Sequence, residues 1–119
     1  MDTIDNKEFW EMLDEMILTS EIVIDRPKES AHPKFKDFIY PADYGYLKGT
    51  KSMDGNNIDI FVGTRKSKDL NAVICNVDIL KKDSEIKLLI ACTEEDIIKI
   101  FECLNASKYM KSILIKRTQ

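Results

Sequence analysis

Short apolar stretches broken by glycine, proline and asparagine fill the middle of this chain, and an amphipathic helical pattern lies on each side of them. Strand patterns cover residues 20–25, 70–80, 85–92 and 112–116, and residues 38–62 are typical of short strands joined by turns. Residues 81–84 predict a tight connection between two of these strands, which would form a hairpin. The order of these patterns favours a small curled sheet.

Two segments predict the flanking helices. Residues 5–18 place Phe9, Leu13, Met16 and Ile17 at helical spacing. Thr93 is followed by three acidic residues, a start typical of a capping box, and predicts a helix over residues 94–104. Five or six short strands with these two helices indicate a mainly β (α+β) fold, either an open α+β sandwich or a closed barrel.

The length of 119 residues predicts one domain over residues 1–119. A formal net charge of −3 provides no basic surface for nucleic acid, and no apolar run is long enough to span a bilayer. The acidic N-terminal sequence has no signal-peptide pattern, so a cytoplasmic protein is expected. The three cysteines form no C-x-x-C pair and are expected to be reduced, buried residues that behave as small hydrophobes, with a zinc site or a catalytic thiol as the alternative.

The most specific chemical pattern begins with Tyr40 and Tyr44 and continues into an acidic box that ends at Asp59. Gly55 can adopt positive φ and let the chain reverse, so that Asp54 and Asp59 meet on one side of a turn. Mg²⁺ prefers one or two carboxylates together with water and phosphate oxygens. Gly55, Asn56 and Asn57 also favour a turn in any protein, so a turn without a metal site remains the alternative.

This segment resembles the soluble inorganic pyrophosphatases, whose box reads Asp-Gly-Asp-Pro-apolar-Asp after a Tyr-Pro-x-x-Tyr-Gly element. The resemblance implies Mg²⁺-dependent hydrolysis of pyrophosphate by a metal-activated water, with Asp54 and Asp59 as metal ligands and, with Tyr44, as catalytic residues. The middle acid of the box is Asn56 here. Asn56 can ligate a metal through its carbonyl oxygen, but it adds no negative charge and cannot act as a base.

The resemblance also decides between the two architectures. It implies a small closed five-stranded OB-like β-barrel with an N-terminal and a C-terminal helix. Members of this family commonly form homo-oligomers, although no interface can be recognised in this sequence.

A second element, Glu85-Ile86-Lys87, resembles the family's Asp-x-Lys on a strand, where the acid binds metal and the lysine contacts phosphate. Alternation along a strand places Glu85 and Lys87 on the same face, as that chemistry requires. Asp25 and Asp83 are weaker candidates. Asp25 stands where the family has a glutamate near the metals, and Asp83 is the one acid left in a loop that is longer in the family and precedes the Glu85 element.

The remaining substrate-binding candidates follow from the same resemblance. Tyr44 and Tyr40 match the family's phosphate-contacting tyrosine and its partner, and Lys87 is the best candidate for the phosphate-binding cation. His32 stands where the family has an arginine, with Lys34 two residues away.

The chain also departs from the family pattern. The family's Tyr-Lys phosphate anchor reads Leu104-Asn105 here, and a hairpin after the first strand is absent from the sequence. Three functions therefore stay open, with pyrophosphate hydrolysis placed first. The others are hydrolysis of another phosphorylated compound and a non-catalytic module that binds a metal-phosphate ligand or serves as a subunit. The expected partner is a small phosphate compound, and neither nucleic acid nor a membrane is expected.

Overall fold

The computed structural model describes residues 4–118. Helix α1 spans Lys7–Leu18 and helix α2 spans Glu94–Leu104. The six strands are β1 (Glu21–Arg26), β2 (Asp43–Lys48), β3 (Ile58–Val62), β4 (Leu70–Asp78), β5 (Asp83–Ile90) and β6 (Met110–Lys116). Both predicted helices and the predicted hairpin are confirmed, since β4 and β5 pair antiparallel. Residues 38–62 contain β2 and β3.

The six strands form a sheet in the order β1-β2-β3-β5-β4-β6. Neighbouring strands pair antiparallel except β3 and β5, which run parallel. Strands β1 and β6 lie at the two ends and do not pair with each other within residues 4–118. The structure therefore corrects the predicted closed five-stranded barrel to an open six-stranded sheet. Local alternation identifies strands, whereas closure depends on pairing between strands that are distant in sequence.

A hydrophobic cluster lies on each face of the sheet. Under α1 the buried residues are Trp10, Leu47, Ile60, Val62, Leu70, Val73, Leu88, Ile90 and Ala91. Under α2 they are Tyr40, Ala42, Phe61, Ala72, Ile74, Leu89, Cys92, Ile97, Ile100 and Leu104. In the part of the chain described here, neither helix is long and apolar enough to cross a membrane.

The start of α2 is tied to the end of β3 through a buried carboxylate. Asp96 Oδ2 accepts hydrogen bonds from the Thr93 amide, the Thr64 amide and the Thr64 hydroxyl at 3.0, 3.0 and 2.9 Å. Burial alone would raise the pKa of Asp96, but these bonds lower it overall. The Thr93 side chain completes the predicted capping box, so α2 begins where the sequence indicates.

The cysteines agree in part with their expected role as reduced, buried residues. Cys75, Cys92 and Cys103 form no disulfide, and Cys92 is buried, whereas Cys75 and Cys103 are half-buried. Burial raises the pKa of the Cys92 thiol to about 12, so this residue remains a neutral thiol at physiological pH.

Candidate active site

Lys87 stands at the centre of a cluster of polar side chains on the α2 side of the sheet. Its ammonium donates hydrogen bonds to Tyr44 Oη at 2.8 Å, to Asp59 Oδ2 at 2.9 Å and to Glu85 Oε1 at 2.6 Å. The lysine is only 6% exposed. A buried ammonium with three acceptors has all of its N–H groups in use. We call Lys87, Tyr44, Asp59 and Glu85 the Lys87 cluster.

Strand geometry brings the Lys87 cluster together. Glu85 and Lys87 share a face of β5 because they are two residues apart. The parallel pairing of β3 with β5 sets Ile60 beside Leu88, which places Asp59 on the adjacent strand near Lys87. Tyr44 of β2 pairs with Phe61 of β3, so its ring lies on the same face as Asp59.

The charges of the cluster are strongly coupled. Burial alone would lower the pKa of Lys87, but Tyr44, Asp59 and Glu85 outweigh that effect and raise it above its ordinary value. For Tyr44 burial acts in the opposite direction and raises the pKa, so the phenol remains protonated. Lys87 is therefore a cation and Tyr44 a neutral hydroxyl throughout the physiological pH range.

A row of aromatic rings leads away from the cluster. The rings of Tyr44 and Tyr40 are stacked with centroids 5.0 Å apart, and His32 is stacked on Tyr40 at 6.3 Å. His32 Nδ1 accepts hydrogen bonds from the backbone amides of Lys34 and Phe35. Burial, followed by the nearby charges of Arg26, Lys81 and Lys34, lowers the pKa of His32.

Arg26 is the functional candidate that the sequence reasoning missed. It ends β1 and pairs in register with Tyr44. Its guanidinium donates a hydrogen bond to Tyr40 Oη and lies 5.6 Å from the Tyr40 ring centroid and 6.0 Å from that of Tyr44. The sequence feature that could have identified Arg26 is its place at the end of a predicted strand, directly before Pro27. The resemblance to the family assigned the position of its arginine to His32 instead.

The acidic box divides into two parts in the structure. Asp54 Oδ1 accepts hydrogen bonds from Ser52 Oγ at 2.5 Å and from the Asn56 amide at 2.9 Å. The Ser52 and Asn56 bonds lower the pKa of Asp54. Gly55 has φ +86°, which confirms the expected reversal of the chain. Asp54 and Asn56 thus make local turn contacts, whereas Asp59 belongs to the Lys87 cluster.

The predicted metal ligands therefore do not come together as one preformed group. Asp59 and Glu85 share the Lys87 ammonium, and Asp54 and Asn56 share the turn. Among the residues that the structure describes, no three His, Cys, Asp or Glu side chains are grouped to hold a metal ion.

The weaker metal candidates and the two positions of the missing phosphate anchor lie outside the Lys87 cluster. Asp83 is exposed and pairs with Asp78 at the tip of the β4–β5 hairpin, and Asp25 is exposed on β1. Leu104 is buried in the cluster under α2. Asn105 is the C-cap of α2, and its Oδ1 accepts a hydrogen bond from the Ser112 amide at 2.8 Å.

The sequence model of the family described as Inorganic Pyrophosphatase matches residues 18–111, which is most of the chain. The chain belongs to the inorganic pyrophosphatase family. By family it is an inorganic diphosphatase, a hydrolase that acts on a phosphoanhydride. The resemblance seen in the sequence is thereby confirmed. No curated protein matches the sequence significantly.

Solved inorganic pyrophosphatases share the fold. The enzyme from Neisseria gonorrhoeae is 15% identical, with a TM-score of 0.65 and coverage of 80% of each chain. The Thermus thermophilus enzyme is 18% identical with a TM-score of 0.54 and 81% coverage of each chain. The Helicobacter pylori enzyme is 18% identical with a TM-score of 0.52, and the match covers 81% of this chain and 80% of that one.

Replacement of Arg26 by Gln should raise the KM for pyrophosphate about tenfold, because a guanidinium in this place can donate a charge-assisted hydrogen bond to a phosphate oxygen and Gln lacks the charge. Gln keeps much of the side-chain length but removes the cation beside Tyr40 and Tyr44. Steady-state kinetics over a range of pyrophosphate concentrations would measure the change. The matched control is Arg65→Gln, since Arg65 is exposed in the β3–β4 connection. Equal KM values for the two variants would contradict a substrate role for Arg26.

Proposed function

We propose that this protein hydrolyses inorganic pyrophosphate to phosphate in a Mg²⁺-dependent reaction, by attack of water on phosphorus. Family membership supports the reaction class. The observation that carries the proposal for the site is the Lys87 cluster, in which a buried cation lies between two carboxylates and beside a hydroxyl. Hydrolysis of a phosphoanhydride needs both cationic donors for the phosphates and acids that position a water.

The phosphate groups would be held by Lys87 and Arg26, with hydroxyl contacts from Tyr44 and Tyr40. Lys87 stays charged and can donate to a phosphate oxygen once it gives up one of its present acceptors. Tyr44 stays protonated and can therefore donate as well. The aromatic stack beneath Arg26 would limit the directions that its guanidinium can take.

The donor set fits a magnesium ion that enters together with pyrophosphate. Asp59 and Glu85 converge, since both lie within 2.9 Å of the same ammonium nitrogen. Magnesium commonly takes one or two carboxylates and completes its shell with water and phosphate oxygens, so a cage made only of protein ligands is not required. Asp54 and Asn56 are the further oxygen donors proposed for it. When bound, the ion would neutralise phosphate charge and make a water more acidic.

The charge balance supports the need for such an ion. Two carboxylates and one ammonium leave the cluster with one net negative charge, which opposes the approach of a pyrophosphate anion. Arg26 offsets part of this repulsion. Asn56 cannot accept a proton, so we assign the removal of the proton from the attacking water to Asp59, with Asp54 as an orienting acid.

The test of this proposal is the release of phosphate from pyrophosphate with excess Mg²⁺, measured for the wild type and for Asp59→Asn. The wild type should release phosphate, EDTA should stop the release, and Asp59→Asn should lower turnover about 100-fold, a barrier increase of about 2.7 kcal/mol. The matched control is Asp69→Asn, an exposed acid before β4 that should retain wild-type turnover. Undiminished turnover of Asp59→Asn would overturn the assignment.

One observation favours a second function, in which the site binds or hydrolyses another phosphorylated compound. Leu104 is buried and Asn105 caps α2, so these positions supply no phosphate anchor. A panel of phosphate esters and nucleotides would separate the alternatives. Turnover of an ester in preference to pyrophosphate would establish a different substrate, and binding without turnover would establish a non-catalytic module.

A further inference from the structure

Asn76 is a buried amide directly beside the Lys87 cluster. It lies on β4, where the register sets it opposite Glu85 of β5 on one side and Ser112 of β6 on the other. Only 2% of the residue is exposed. Its Oδ1 accepts a hydrogen bond from Ser112 Oγ at 2.5 Å. Its Nδ2 is buried and has no hydrogen-bond partner among the residues that the structure describes.

This arrangement is costly for the folded protein. A buried N–H group without an acceptor loses its hydrogen bonds to water and gains nothing in return. Most buried polar atoms are paired in native structures, so an unpaired one calls for an explanation. Leucine has almost the same shape as asparagine and would remove the cost. The presence of an asparagine here would be explained if a hydrogen-bond acceptor reached Asn76 Nδ2 in the ligand-bound form of the site.

Glu85 is the neighbour that can supply this acceptor. The Lys87 ammonium already donates to three acceptors, so it must release one of them before it can bind a phosphate oxygen. Of the three, Glu85 is the one that the sheet register places opposite Asn76. A carboxylate that leaves Lys87 therefore has an unused donor within the same pair of strands.

We infer that Asn76 is a positioning residue that receives Glu85 when phosphate binds. In the free protein Glu85 accepts from Lys87. In the complex one Glu85 oxygen accepts from Asn76 Nδ2, which frees Lys87 to donate to phosphate and leaves the other Glu85 oxygen available to the magnesium ion. The exchange makes no covalent bond and moves no proton. It rests on the proposed function, because it assumes that the ligand of Lys87 is a phosphate group.

The first experiment compares ligand affinity in two variants. One removes the Asn76 amide, and the other removes only the Ser112 hydroxyl that donates to Asn76 Oδ1. Methylenediphosphonate, a pyrophosphate analogue with a non-hydrolysable P–C–P bridge, is titrated calorimetrically with excess MgCl₂ into the wild type, Asn76→Leu and Ser112→Ala. Asn76→Leu should weaken binding about tenfold or more, because Glu85 loses its alternative donor. Ser112→Ala removes the bond to Oδ1 but keeps Nδ2, so its affinity should stay within about twofold of the wild type.

Thermal unfolding of the same variants separates positioning from simple structure. If Asn76 only links β4 to β6, both variants lower the melting temperature and neither changes the affinity, and the inference is overturned. If the exchange occurs, Asn76→Leu loses affinity and Ser112→Ala does not, although both variants lack the side-chain hydrogen bond that joins β4 to β6.

A measurement without any substitution covers the case in which Asn76→Leu does not fold. The side-chain amide resonances of Asn76 in a ¹⁵N-labelled wild-type protein should shift on addition of methylenediphosphonate with MgCl₂. Binding with unshifted Asn76 resonances would overturn the inference and leave the proposed function intact. If neither the wild type nor Lys87→Met bound methylenediphosphonate with MgCl₂, the proposed function itself would be overturned, and the exchange with it.

Discussion

Replacement of Lys87 by Met should lower pyrophosphate hydrolysis about 1,000-fold, because the cation that stabilises phosphoryl charge is lost. The same change should destabilise the fold by about 3 kcal/mol or more, since it leaves Asp59 and Glu85 side by side without their shared counter-ion. Both effects follow from the burial of Lys87 and from its three hydrogen bonds. Methionine fills a similar volume, so a cavity adds little to the loss.

Urea unfolding and phosphate release would measure the two effects. The matched control is Lys99→Met, which removes an ion pair with Glu95 on the surface of α2, where the side chains are 54% and 77% exposed. An exposed pair of this kind is screened by water, so this variant should keep both its unfolding midpoint and its turnover. A Lys87→Met protein that matched the control in both measurements would show that the Lys87 cluster supports neither stability nor hydrolysis.

Replacement of Gly45 by Ala should destabilise the protein by about 3 kcal/mol, at the upper end of the usual cost of overpacking. A Cβ at this position would lie 1.7 Å from the carbonyl oxygen of Val23. Gly45 pairs with Ile24, so the clash is with the backbone of β1 and cannot be relieved by rotation of a side chain. We expect β1 to move away from β2 and to carry Arg26 away from the tyrosines.

The appropriate control for this variant is Gly49→Ala. Gly49 follows β2 with φ +87°, and a Cβ there would lie more than 4 Å from every atom of residues 4–118 outside its chain neighbours. Its substitution should cost only about 1 kcal/mol of backbone strain. Thermal unfolding of both variants gives the comparison, and a Gly45→Ala protein as stable as Gly49→Ala would mean that β1 does not pack closely against β2.

Local patterns in the sequence predicted the elements of this fold well. Helical spacing and the capping box identified α1 and α2, and alternation identified the hairpin of β4 and β5. The strand alternation that put Glu85 and Lys87 on one face is also confirmed, because both belong to the Lys87 cluster. Each of these features depends on residues close together in the chain.

The features that the sequence did not predict depend on contacts between distant residues. Closure of the sheet is decided at its edges, and the parallel pairing of β3 with β5 joins strands that are not consecutive. Arg26 reaches Tyr40 and Tyr44 across an intervening loop, so an alignment without gaps could not locate it. The expectation that Asp54 would join Asp59 around a metal remains a prediction.

The parallel pairing of β3 with β5 also divides the sheet into two antiparallel halves, β1-β2-β3 and β5-β4-β6, which meet where residues 60–62 run beside residues 88–90. Lys87 links the two halves, because from β5 its ammonium donates hydrogen bonds to Tyr44 and Asp59 of the other half. A phosphate that draws the ammonium away competes with the bonds that join the halves. The same Lys87 nitrogen thus serves both phosphate binding and the stability of the free protein. A change that strengthens its bonds within the sheet should therefore weaken phosphate binding.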